Sequence, residues 1–149
     1  MTPTAVGELH TQAYFAKASA AYEEAMTAFS DSLEVVADAK SAVFEAKDQL
    51  RSIEDEVLVN GGYRQYTISP ADTNKEKREA KTRLALREMP EYVDARQNVM
   101  RTERELDRAE ALRDTAANRM AIERRRCDAY LAAATQRAAV LQAQPLSRH

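Results

Sequence analysis

The chain has 149 residues, a formal net charge of −2, one cysteine, three glycines, four prolines and no tryptophan, room for a single domain. Leu, Ile, Val and Phe fill 26 positions and alanine alone fills 28, which is short of the large aliphatics of a compact globular core, while the net charge is too small for a disordered chain. The abundant Ala, Arg, Glu, Leu and Lys are strong helix formers, the lone Cys127 excludes an internal disulfide, and no apolar run approaches the roughly 20 residues that cross a bilayer.

The first element is a helix over residues 8–58. Phe15, Tyr22, Phe29, Val36, Val43, Leu50 and Val57 recur at intervals of seven, and the positions three residues after them are Ala18, Ala25, Ser32, Ala39, Ala46 and Ile53. That pattern specifies one narrow seam, a large residue per heptad beside a small one that lets a neighbouring helix approach closely. Neither Pro nor Gly interrupts residues 8–58, and a helix of about 50 residues would run roughly 75 Å at 1.5 Å per residue. Asn60-Gly61-Gly62 supplies the residue types that accept the left-handed conformation closing a helix.

Residues 59–72 read as a loop, followed by a short basic helix over 73–89. Ser69-Pro70-Ala71-Asp72 carries a helix-start pattern, with Asn74 as the alternative start. Pro90 opens a second long helix, 90–143, and 144–149 reads as a disordered tail. The sevens of that helix are Tyr92, Val99, Leu106, Arg113, Met120, Cys127, Ala134 and Leu141, supported at plus three by Ala95, Thr102, Ala109, Ala116 and Tyr130. Arg113 alone breaks the apolar series; it is expected to snorkel outward or to pair with Glu34 or Asp38 of the acidic first helix.

Two helices of matched length predict an all-α fold: a long antiparallel two-helix coiled-coil hairpin with a short third helix at its tip. Level stacking would set Val57 near Tyr92, Leu50 near Val99, Phe29 near Met120, Tyr22 near Cys127 and Phe15 near Ala134, although antiparallel coiled coils usually interleave such positions. A hairpin covers one stripe of each helix and leaves Val35, Phe44, Met100, Leu112 and Ile122 without partners, so a homo-oligomer is expected.

Charge is distributed unevenly. Residues 1–58 hold 11 acids and 4 bases, residues 59–89 hold 7 bases and 4 acids, and residues 91–143 hold 10 bases and 9 acids. The excess of positive charge lies at the tip, where Arg64, Lys75, Lys77, Arg78 and Lys81 accompany Tyr63 and Tyr66, cations interleaved with aromatics as suits phosphates and exposed bases. These seven residues are the candidate contacts for nucleic acid or a partner protein. Arg124-Arg125-Arg126 fans over about 200° of a helix and cannot address one surface; Arg124 has Asp128 and Arg119 has Glu123 four residues on.

Catalysis finds no motif. The two histidines, His10 and His149, lie near the termini, and the sequence holds no metal-spaced His/Cys cluster, Gly-rich phosphate loop or Glu-x-x-His signature. The chain therefore reads as non-enzymatic, with no catalytic, cofactor-binding or metal-ligating residues and no evident small-molecule substrate.

The long helix, the Gly-containing loop, the stretch Asn74-Lys75-Glu76-Lys77-Arg78-Glu79-Ala80, the Pro90-Glu91-Tyr92 step and the second long Ala/Glu/Arg helix together resemble small helical-hairpin proteins of phages and prophages. The resemblance spans residues 30–131. Proteins of that kind often stand beside single-strand annealing recombinases, so it implies an accessory role in phage DNA recombination or against host functions, with DNA or a DNA-processing protein as partner. A structural coiled-coil scaffold or assembly protein is the alternative. With no basic segment followed by an apolar run in the first thirty residues, no secretory signal is expected, and the expected setting is cytoplasmic, the host cytoplasm for a phage-encoded chain.

Overall fold

The computed structural model describes residues 3–60 and 75–144, with side chains over 12–57, 77 and 79–144. Among the described residues it is all-helical, with α1 Pro3–Asn60, α2 Lys75–Glu88 and α3 Pro90–Ala143. α1 starts at Pro3, ahead of the expected residue 8, as the first helical position tolerates a residue without an N–H. α2 starts at Lys75, directly after the alternative start Asn74. Most of the expected 59–72 loop and most of the 144–149 tail lie outside the described residues.

The two long helices pack together, and their packing divides into two units, Met1–Glu34 with Ala111–His149, and Val35–Glu110. In the second unit α1 buries Val36, Val43, Ala46 and Val57, while α3 buries Ala95, Val99, Thr102 and Ala109. These are the heptad and plus-three positions, so the period written in the sequence is the period the packing uses. Lys47 Nζ meets Glu103 Oε1 at 2.8 Å, and Tyr92 donates its hydroxyl hydrogen to Glu54 Oε1 at 3.4 Å. Later residues of α1 meet earlier residues of α3, so the helices run antiparallel here. Buried Thr102 directs its hydroxyl to the carbonyls of Asn98 and Val99, 3.0 and 2.9 Å away, which removes the cost of an unpaired polar group in the seam.

The first unit has the same antiparallel order. The rings of Tyr14 and Tyr130 stack with centroids 6.3 Å apart and planes 4° from parallel, and Arg119 Nη2 lies 3.8 Å from Glu24 Oε2. Level stacking would put Ser19 opposite Tyr130, five residues from the partner observed. Tyr14 is neither a heptad nor a plus-three position and is exposed, so the stack lies beside the seam and outside the level pairing. The level pair Phe15 with Ala134 is not formed as a buried contact, since both residues are exposed, as is the rest of 131–144.

Two seam positions depart from the expected pattern. Arg113 takes the outward course of its two expected ones and not the pairing with Glu34 or Asp38; its Nε and Nη2 both reach Oδ1 of exposed Asp114, at 3.0 and 2.8 Å. The plus-three position between Ala116 and Tyr130 is Glu123, and it is buried at 9% exposure. Arg126 Nη1 binds its Oε1 at 3.1 Å, so the carboxylate is paired at the edge of the seam.

The core is thin. Among the described residues no large side chain is fully buried, and Ala25 is the residue with no exposure at all. Small residues allow close backbone approach, but each contributes little apolar area. Val35, Phe44, Met100, Leu112 and Ile122 all remain exposed.

Candidate nucleic-acid interface

α2 is positioned by its own short apolar face. Ala85 and Leu86 bury against Val57 of α1, with Ile53, Met89 and Tyr92 packed around them. Thr82 and Met89 continue this inner face at helical spacing, both half-buried. A single non-helical residue, Met89, separates α2 from α3. Pro90 cannot donate to the Leu86 carbonyl as a continuing helix would require. Met89 N–H donates to that carbonyl instead, at 3.2 Å, and Val93 N–H donates to the Met89 carbonyl at 3.1 Å to start the next helix.

With the inner face occupied, Lys77, Arg83, Leu84 and Arg87 are exposed on the other side. Arg83 Nη2 lies 3.7 Å from Glu79 Oε2, a one-turn pair in solvent of the kind that adds at most about 0.5 kcal/mol. Of the seven candidate contacts, Lys77 is exposed and Lys81, one turn on, is half-buried. Lys75 and Arg78 lie on α2 with side chains outside the described ones, and Tyr63, Arg64 and Tyr66 lie outside the described residues. The described part of the site is therefore a helix face with cations at Lys77, Arg83 and Arg87.

A second basic surface escaped the sequence reading. Gln97, Met100, Arg101, Arg104, Glu105 and Arg108 are all exposed and line a shallow depression along α3. Counting 10 bases against 9 acids made this helix look balanced. The signal was angular: Arg101, Arg104 and Arg108 recur at three and four residues on the outer side, where Glu105 accompanies them. The Arg124-Arg125-Arg126 run does fan out, and of its members Arg126 is paired with Glu123, while Arg119 reaches across to Glu24 rather than along its own helix.

Other chemistry-bearing groups are dispersed. Cys127 is a free, half-buried thiol in the seam. Among the described residues no three His, Cys, Asp or Glu side chains gather as metal ligands would, and no helix is long and apolar enough to cross a membrane. Comparison with protein-family models, curated proteins and solved structures gives no match to this chain.

Proposed function

We propose that this chain is a non-enzymatic helical interaction protein that self-associates through its helix faces and contacts DNA through the basic region around α2. The observation that carries the reading is the anchoring of α2: Ala85 and Leu86 lock one face onto Val57, leaving Lys77, Arg83 and Arg87 exposed within a segment of seven bases and four acids. Such a surface supplies phosphate contacts without base specificity. The acidic first helix repels phosphate and so favours approach from the basic side. An accessory role in phage DNA recombination is what the resemblance to phage and prophage hairpin proteins implies, and the charge layout is compatible with it.

Fluorescence anisotropy with labelled single- and double-stranded oligonucleotides tests the reading. Binding is expected at low salt and should weaken steeply as salt rises, and replacing Arg64, Lys77, Arg78 and Lys81 with Ala should flatten the salt slope by about 0.9 per lost contact on duplex DNA. Absence of binding at low salt, or an unchanged slope in the quadruple variant, refutes the DNA contact. The structural-scaffold reading, favoured by the exposed Val35, Phe44, Leu112 and Ile122, would then stand.

A further inference from the structure

The unit Val35–Glu110 carries two exposed ridges of opposite charge. On α3, Arg101, Arg104 and Arg108 are exposed and, at about 100° per residue, fall within about 60° of arc on the side away from the buried Val99 and Ala109. On α1, Asp38, Glu45 and Asp48 are exposed and fall within about 80° of arc on the side away from the buried Val43 and Ala46. Arg101 donates through Nη2 to Asn98 Oδ1 at 2.7 Å. Among the described residues, Arg104, Arg108, Asp38, Glu45 and Asp48 have no ion-pair partner.

We infer that the arginine ridge of one copy docks on the acidic ridge of α1 in a second copy. The occupant is assigned by charge complementarity and by spacing. With the two helices antiparallel, Asp48 and Glu45 fall level with Arg101 and Arg104, and Asp38 falls within one turn of Arg108. Arginine suits the arrangement because its guanidinium grips a carboxylate through two parallel hydrogen bonds. Phe44 and Met100, both exposed, then border the two ridges on the same flank and add apolar contact. One copy uses different surfaces for its two neighbours, so the contact is head-to-tail and propagates along a row of copies. The inference names the face behind the self-association in the reading above and is independent of the DNA contact.

Sedimentation velocity on the full chain at low and high ionic strength tests it, with far-UV circular dichroism confirming that each variant stays helical. The wild type should associate at low ionic strength and dissociate at high. Reversing the arginines (Arg101→Glu, Arg104→Glu, Arg108→Glu) or the acids (Asp38→Lys, Glu45→Lys, Asp48→Lys) should each weaken self-association by roughly tenfold or more. Each variant keeps one native ridge and the two reversed ridges are complementary in turn, so a mixture of the two should regain association, native ridge on native and reversed on reversed. A wild type that is monomeric at low ionic strength overturns both this inference and the self-association reading. Association unaffected by either reversal overturns this inference alone, as does failure of the mixed variants to pair. Loss of oligonucleotide binding in the arginine variant with wild-type self-association intact would assign the ridge to phosphate and overturn it as well.

Discussion

Val43 is 9% exposed and Phe44, the next residue, 73% exposed. Hydrophobicity would rank phenylalanine as the core residue; the heptad position, which decides which side chain faces the other helix, selects the valine. Val43→Asp is expected to cost on the order of 3 kcal/mol in urea unfolding, because it strands a carboxylate in the seam. At high ionic strength, where copies are separate, Phe44→Asp should change stability by less than about 0.5 kcal/mol. Equal effects from the two substitutions would contradict the assigned face. Glu123 presents the converse case, a charged residue on a seam position, tied to an exposed arginine that water would otherwise solvate. Replacing a buried ion-paired group with a well-packed apolar one is often stabilising, so Glu123→Leu should raise unfolding free energy by about 1 kcal/mol, read from the shift in denaturation midpoint.

Helix α2 is anchored by the cluster of Val57, Ala85 and Leu86. Its sequence is mostly charged, and helical propensity alone does not keep fourteen residues ordered in water. Leu86 is the large apolar side chain that α2 buries in the cluster with Val57. Leu86→Ala is therefore expected to cost about 2 kcal/mol and to raise amide exchange in α2 before it does so in the middle of α3; uniform exchange changes across both helices would argue against a separately anchored α2. The long helices were legible from periodicity because seven-residue recurrence repeats many times along each of them. The Val57–Ala85–Leu86 cluster was not, since it joins three elements through one or two residues apiece and leaves no repeat to read. Nor was the arginine ridge, which a count of charges along α3 cancels and only a helical projection separates.

At the level of the assembled chain, the packing leaves Val35, Phe44, Leu112, Ile122 and Val140 exposed. Burial of even part of that surface between copies couples folding to association. Thermal unfolding should then depend on protein concentration, Tm rising by a few degrees over a hundredfold increase at low ionic strength and less at high, measured by circular dichroism at several concentrations. A Tm independent of concentration would mean that association contributes nothing to stability. The near-zero net charge belongs to the same picture: it sums an acidic α1, a basic segment around α2 and an α3 whose charges nearly balance in number while three of its arginines gather on the outer side.

Composition and period were sufficient for the all-helical class, for two long helices packing together and for most residues of their seam, the heptad positions Phe15, Ala134 and Leu141 being exposed. Those properties are local: helix propensity sums along the chain, and a seven-residue recurrence places its side chains on one stripe whatever lies opposite. The partner of each residue was decided only in three dimensions. Tyr130 stacks on Tyr14, Arg113 turns to Asp114 and Glu123 occupies a seam position with Arg126. Register and pairing depend on how two surfaces interlock and on which charges come within reach, and that distance does not exist until the helices have packed.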